Sequence, residues 1–179
     1  MNANDVFIGV GGNLPSETLG PPLAVMAAAL RALPAAGIIV RRRSRWYRSA
    51  PVPASDQPPY TNGVLEVDTR MDAAALLEVL HEVEADFGRV RGAPNAARVL
   101  DLDLLAYGRS VVRDEAGLCV PHPRMHLRAF VLKPLAELAP EWRHPRLGLT
   151  TAQLLAALPP GQWAEPLDES TDETVDRLP

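Results

Sequence analysis

Two aspartates set two residues apart, Asp101 and Asp103 in Arg98-Val99-Leu100-Asp101-Leu102-Asp103-Leu104-Leu105, are the groups in this chain best spaced to do chemistry. On a β-strand, residues i and i+2 share a face, so the two carboxylates point together while Leu100, Leu102 and Leu104 point into a core. Like charges side by side repel, and a divalent cation or a neighbouring arginine is the natural compensation. Carboxylate oxygens with no soft donor nearby suit magnesium, which takes one or two carboxylates and fills its shell with water and substrate phosphates. The same segment also describes a half-exposed edge strand with ordinary surface aspartates. Arg89, Arg91 and Arg98 bracket the loop that enters this strand, and guanidinium groups grip phosphate oxygens in pairs. Paired aspartates with arginines beside them point to polyphosphate. Lys133, the single lysine, stands in Leu132-Lys133-Pro134-Leu135, far from any glycine-rich loop. Phosphate binding therefore falls to arginine and metal.

Other segments add less. Gly9-Val10-Gly11-Gly12-Asn13-Leu14 fits neither a dinucleotide fingerprint, which needs glycine where Leu14 stands, nor a Walker loop. It reads as a tight turn with positive φ angles, or as a place where backbone lines a site. Tyr60, Asn62 and Phe130 offer aromatic faces and an amide that could hold a flat heterocycle, although the two rings also suit a core. His122 and His126 lack the partners of a zinc site, which leaves them hydrogen-bonding roles. With no Gly-x-Ser-x-Gly elbow and no activating context for Cys119, covalent catalysis has no candidate.

The elements that must position these groups follow from pattern. Strands are expected over 5–10, 38–47, 62–67 and 99–107, with a hairpin arm over 111–120. Helices are expected over 23–33, after a cap at Asp72, over 127–138 with an interruption at Pro134, and over 151–158. Four prolines between 51 and 59 mark an irregular loop of the kind that often carries function. Strand, helix, strand, strand, helix, strand is the ferredoxin-like α+β plan: an antiparallel sheet with helices on one face, here with a C-terminal extension.

Composition excludes several classes. The chain of 179 residues is 47% hydrophobic and 22% charged, within the range of one globular domain. Its net charge of −4 is concentrated at the end, where Glu165, Asp168, Glu169, Asp172, Glu173 and Asp176 face Arg177 alone. The remainder is close to neutral, which argues against nucleic-acid binding. Residues 165–179 read as an acidic, disordered tail on a domain spanning 1–164. The most apolar stretch, 23–40, is too broken to cross a bilayer, and a single cysteine fits the cytoplasm.

Taken in order, Gly11-Gly12-Asn13-Leu14, Tyr47-Arg48-Ser49, Asp56-Gln57-Pro58-Pro59-Tyr60-Thr61-Asn62, Gly88-Arg89-Val90-Arg91, Arg98 to Asp103 and Val120-Pro121-His122-Pro123-Arg124-Met125 resemble the 6-hydroxymethyl-7,8-dihydropterin pyrophosphokinase family of folate synthesis. The resemblance runs from about residue 6 to about residue 145. It implies that Asp101 and Asp103 hold two magnesium ions, with Arg89 and Arg98 on the ATP phosphates in catalytic roles. It implies a pterin site of Ser49, Ala50, Val52, Tyr60, Asn62 and Phe130, and a nucleotide site of His81, Glu84, Arg89, Arg91, Arg98, Leu104, Cys119, His122 and Arg128. The substrates would be ATP and the reduced hydroxymethylpterin, and AMP would leave. Two departures stand out: Gly12 occupies a usual serine position, and Pro94-Asn95-Ala96-Ala97-Arg98 lacks the tryptophan of the family loop. The loop 88–98, poor in apolar residues, is expected to be mobile until nucleotide orders it. The alternatives are a pterin- or nucleotide-binding module without turnover and a purely structural interaction domain.

Overall fold

In the computed structural model, which describes residues 5–89, 96–115 and 117–168, the chain runs β1 (Val6–Gly12), α1 (Pro22–Ala32), β2 (Ile39–Arg43), β3 (Tyr47–Ser49), β4 (Tyr60–Asp68), α2 (Ala73–Asp86), β5 (Asp101–Tyr107), β6 (Val112–Arg113), β7 (Cys119–Val120), α3 (Ala129–Leu138), α4 (Thr151–Ala156) and β8 (Ala164–Pro166). The main sheet has the order β5-β1-β4-β3-β8, with β2 on the far half of β4, and its pairings are antiparallel. The short strands β6 and β7 pair separately.

β1 is apolar at nearly every position because both faces of the sheet are covered. Val6, Ile8, Val10, Leu65, Val67, Leu102 and Leu104 pack with buried residues of α1 and α2. Phe7, Val64, Leu105 and Ala106 pack with Val131, Leu135 and Leu138 of α3 and with Trp142. A register shift at Phe7/Ile8 lets neighbouring Leu105 and Ala106 join the same layer. The ferredoxin-like helices thus lie on one face as expected, and the C-terminal extension supplies a second layer opposite them.

Local chemistry explains the ends of the elements. Asp72 caps α2 by accepting from the Ala75 N–H at 2.9 Å, and Gly88, at φ 81°, follows its last turn. The helix expected to break at Pro134 continues through it, since a buried proline costs one intrahelical bond and α3 is held by packing. The strand expected over 38–47 is two strands. Between them Trp46 lies over Gly63, where an added Cβ would sit 2.7 Å from the indole, and the Ser44 Oγ accepts from the Val64 N–H at 3.0 Å. Among the described residues no helix is long and apolar enough to cross a membrane.

The expected boundary between domain and tail needs correction. It falls inside β8, whose Ala164 and Pro166 pair with Ser49 and Tyr47. The Leu167 N–H donates to Trp46 O at 2.8 Å, and its side chain packs on the core. Acidic composition hid a strand that needs only one buried position, Ala164. Residues 169–179, and most of the loop expected to be mobile, 90–95, lie outside the described residues. A chain ended at Asp168 should melt higher than one ended at Trp163, by about 2 kcal/mol or roughly 4–8 °C, because the second loses β8 and its hydrogen bonds. Equal melting temperatures would show that β8 contributes no stability.

Candidate active site

The site forms at one end of the sheet, where β1 finishes and β4 and β5 begin. Register puts Asp101, Gly11 and Asn62 in one row across three strands, with Asp103, Gly9 and Val64 in the row behind. Glycine at position 11 leaves the floor between Asp101 and Asn62 clear of side chains, while Gly9, in the row behind, lies under the Leu105 side chain. Above it opens a cleft of about 590 Å³.

Neither Gly11 nor Gly12 is in the positive-φ turn that the sequence suggested; both are extended residues of β1. Close approach is what requires them. A Cβ on Gly11 would lie 2.9 Å from Asn62 Oδ1, and one on Gly12 would lie 2.3 Å from Val99 O. In this chain the backbone of Val99 fills the space that a side chain at position 12 would need. Beside it, buried Asn13 accepts from the Arg98 N–H at 2.9 Å and donates to Pro58 O at 3.1 Å. One side chain thereby ties together the loops on the two sides of the cleft.

One wall is ionic. Arg89 pairs with Glu84 and, at 2.6 Å, with Asp101 Oδ1; Arg98 reaches Asp101 Oδ2 at 2.9 Å. Glu84 is 2% exposed and also accepts from the Leu102 N–H at 2.6 Å, so it locks α2 to β5 while orienting Arg89. Asp101 Oδ1 is itself buried and, despite the ion pair, accepts no aligned hydrogen bond. Asp103 has no ion pair among the described residues. Burial, and then the neighbouring Asp101 charge, push its carboxyl up to about 6. Arg124 and Arg128 face these groups across the cleft. His122 is held near 4 by burial and the same arginines, and its Nδ1 accepts from the Arg124 N–H at 3.2 Å. At neutral pH it is an uncharged ring with its proton on Nε2.

The other wall is apolar and amide-bearing. Ser49, Ala50, Val52, Tyr60, Asn62 and Phe130 line it. Asn62 is buried and donates to Ser49 Oγ at 2.9 Å. The Tyr60 hydroxyl donates to Gln57 Oε1 at 2.8 Å, and Arg128 lies 5.3 Å from the centre of the Phe130 ring. Both rings border the cleft, and Phe130 also packs against the core behind it.

Of the residues expected from the sequence, His81, Glu84, Arg89, Arg98, Asp101, Asp103, His122 and Arg128 line the same cleft as the aromatic set. Leu104 and Cys119 do not. Leu104 alternates to the opposite face from Asp103 and is core, and the Cys119 thiol lies against Pro121 O. Arg91 lies outside the described residues. His126 turns away, its ring 5.5 Å from that of His144, with Nδ1 buried and unpartnered. Gln57 and Arg124 line the cleft and had been given no role, although both stand inside motifs that the sequence singles out.

The residues present fit magnesium. Two carboxylates share a face, one with a buried oxygen lacking an aligned donor and the other raised by its neighbour's charge. No group of three or more His, Cys, Asp or Glu gathers among the described residues, so a closed protein cage is not formed and the remaining ligands would come from phosphate and water.

The protein is an antiparallel α+β domain with a cleft in which aspartates and arginines face an aromatic, amide-bearing wall. Residues 7–140 match the family model described as 7,8-dihydro-6-hydroxymethylpterin-pyrophosphokinase, and the chain belongs to that family. It is 42% identical over 156 residues, 87% of this chain and 76% of the relative, to a 2-amino-4-hydroxy-6-hydroxymethyldihydropteridine pyrophosphokinase of Synechocystis. It is 40% identical to the Pseudomonas aeruginosa protein of the same name, across 86% of this chain and 91% of that one. In fold it is similar to the Plasmodium falciparum HPPK-DHPS protein, with a TM-score of 0.66, 12% identity and coverage of 86% of this chain. It spans 43% of that longer chain.

Glu84→Ala should destabilise the protein by about 3 kcal/mol, because it strands the Leu102 N–H and removes a buried partner of Arg89. Glu84→Gln keeps an acceptor for Leu102 and should cost less. Denaturant titration of both variants tests this, and equal, small losses would show that Glu84 holds neither group.

Proposed function

We propose that the protein transfers the pyrophosphate group of ATP to the hydroxymethyl group of 6-hydroxymethyl-7,8-dihydropterin and releases AMP, a step of folate synthesis. The observation that carries this reading is the facing of the Asp101–Asp103–Arg89–Arg98 wall and the Tyr60–Asn62–Phe130 wall within one cleft. Family membership and relatives named as pyrophosphokinases support it. An inactive binding module of the same fold is the weaker reading, since the described charged groups that transfer would use are all retained. The single cysteine further supports a cytoplasmic protein.

In this reading the pterin ring stacks between Tyr60 and Phe130, and the Asn62 amide, fixed by Ser49, reads its polar edge. That places the hydroxymethyl oxygen toward the ionic wall. The oxygen attacks the β-phosphorus, the bond from that phosphorus to the α,β-bridging oxygen breaks, and AMP departs with the bridging oxygen while the hydroxyl proton passes to water. Asp101 and Asp103 would hold magnesium, two ions in the full reading, which neutralises triphosphate charge. Arg89 and Arg98 are positioned to donate to phosphate oxygens as charge shifts toward the leaving group, and neutral His122 offers an Nε2–H donor at the same wall.

With ATP, magnesium and the reduced hydroxymethylpterin, nucleotide chromatography should show AMP formed one for one with pyrophosphorylated pterin. Stoichiometric ADP would make this a different phosphotransferase and end the reading.

Asp103→Ala should lower kcat at least about a hundredfold, roughly 2.7 kcal/mol of barrier, with a melting temperature at or above wild type, because a carboxyl raised to about 6 opposes folding at neutral pH. Asp101→Ala should lose as much activity and some stability as well, since it strips Arg98 of its carboxylate and leaves Arg89 with Glu84 alone. Near-normal turnover in Asp103→Ala at saturating ATP and magnesium would remove that carboxylate from the site.

A further inference from the structure

The first residue before α3, Arg128, stands at a helix cap without capping it: no side-chain hydrogen bond is made from that position. Serine, threonine, aspartate or asparagine would normally satisfy the exposed N–H groups there. Arg128 instead turns its guanidinium over Phe130 and into the cleft. The cap comes from 33 residues further along the chain. Gln162 Oε1 accepts from the Ala129 N–H at 2.9 Å, and Gln162 Nε2 donates to Leu127 O at 2.9 Å. The polarity of the two backbone partners fixes which end of the amide is oxygen and which is nitrogen.

These two bonds land on particular peptide units. Leu127 O belongs to the plane before the Arg128 Cα, and the Ala129 N–H to the plane after it. Because peptide planes are rigid, holding both fixes φ and ψ of Arg128, at −123° and 117°, and with them the direction in which its side chain leaves the backbone. Gln162 is itself anchored. Trp163 O accepts from the Ala50 N–H at 3.4 Å, and Ala164, fully buried, pairs with Ser49 and takes the Lys133 ammonium at 2.6 Å. The anchoring segment lies beyond the residues matched to the family, 7–140.

We propose that Gln162 is a positioning residue for the reaction, holding Arg128 at the cleft wall through the two peptide units that flank it. The proposal rests on the functional reading above. An ordinary helix cap would contribute only stability; this one sets the aim of a cation that faces Asp101, Asp103 and the incoming phosphates.

The test is Gln162→Met, which keeps the volume and removes both hydrogen bonds, made in the wild-type and Arg128→Ala backgrounds. In the wild-type background kcat/KM should fall about tenfold, and in the Arg128→Ala background less than about twofold, the non-additivity expected when one residue acts through the other. Lys133→Met, which removes one bond to the same segment but leaves both Gln162 hydrogen bonds and the β8 pairing in place, should leave kcat/KM near wild type. Hydrogen exchange at the Ala129 amide, which does not depend on turnover, should quicken in Gln162→Met and not in Lys133→Met. Unchanged kcat/KM in Gln162→Met, an equal loss in both backgrounds, or unchanged Ala129 exchange would each overturn the proposal. Absence of AMP formation by the unmutated protein would defeat the functional reading instead, and the Ala129 exchange would still decide whether Gln162 holds Arg128.

Discussion

The site depends on one carboxylate being held from two sides. Asp101 lies between Arg89 and Arg98, and behind Arg89 stands Glu84, almost completely buried and bonded to the backbone of the aspartate strand. A buried carboxylate is tolerated only when its charge and lone pairs are met, and Glu84 meets both requirements with Arg89 and the Leu102 N–H. The α2–β5 contact is therefore electrostatic at its centre as well as apolar around it. Remove that pairing and the aspartate strand, the loop beneath it and the orientation of Arg89 lose their common support.

The second constraint is close approach of backbone. Three strands converge at the sheet end, and the space over them is usable because Gly11 puts no side chain into it. Gly12 then lets Val99 O come near enough for Asn13 N and Leu14 N to donate to Arg98 O, at 2.9 and 3.1 Å. Arg98 is thus fixed through its backbone before its side chain meets Asp101.

Much of this was legible in the sequence because it is periodic or local. Alternation around Asp101 and Asp103 gave their shared face, and the Asp72 cap and following leucines gave α2. The same alternation, applied one residue further, sends the Leu104 side chain into the core and away from the cleft. What could not be read is non-local. Trp46 splits β2 from β3 by packing on Gly63, seventeen positions away, and β8 is too short and too acidic to carry a hydrophobic pattern. Gly11 and Gly12 looked like turn residues because the sequence shows that a side chain is missing but not which neighbour needs the space.

On the proposed reading, the pairing of Asp101 in the free protein also explains why metal and nucleotide should enter together. Arg89 and Arg98 neutralise Asp101 while the cleft is empty. A cation binding alone would take that carboxylate, leaving Arg98 without it and Arg89 with Glu84 alone, both crowded against Arg124 and Arg128. Triphosphate alone would bring its charge up to Asp103, whose carboxyl burial and Asp101 already hold near 6. When both arrive, partners are exchanged: the carboxylates pass to the metal and the arginines to phosphate oxygens, so no ion is left bare at any stage of the filled site. Among the described residues, the backbones that carry these charges are tied by Asn13, Glu84 and Gln162 before substrate binds. Donors fixed in this way before substrate arrives meet the condition under which electrostatic stabilisation of a transferring phosphoryl group is most effective.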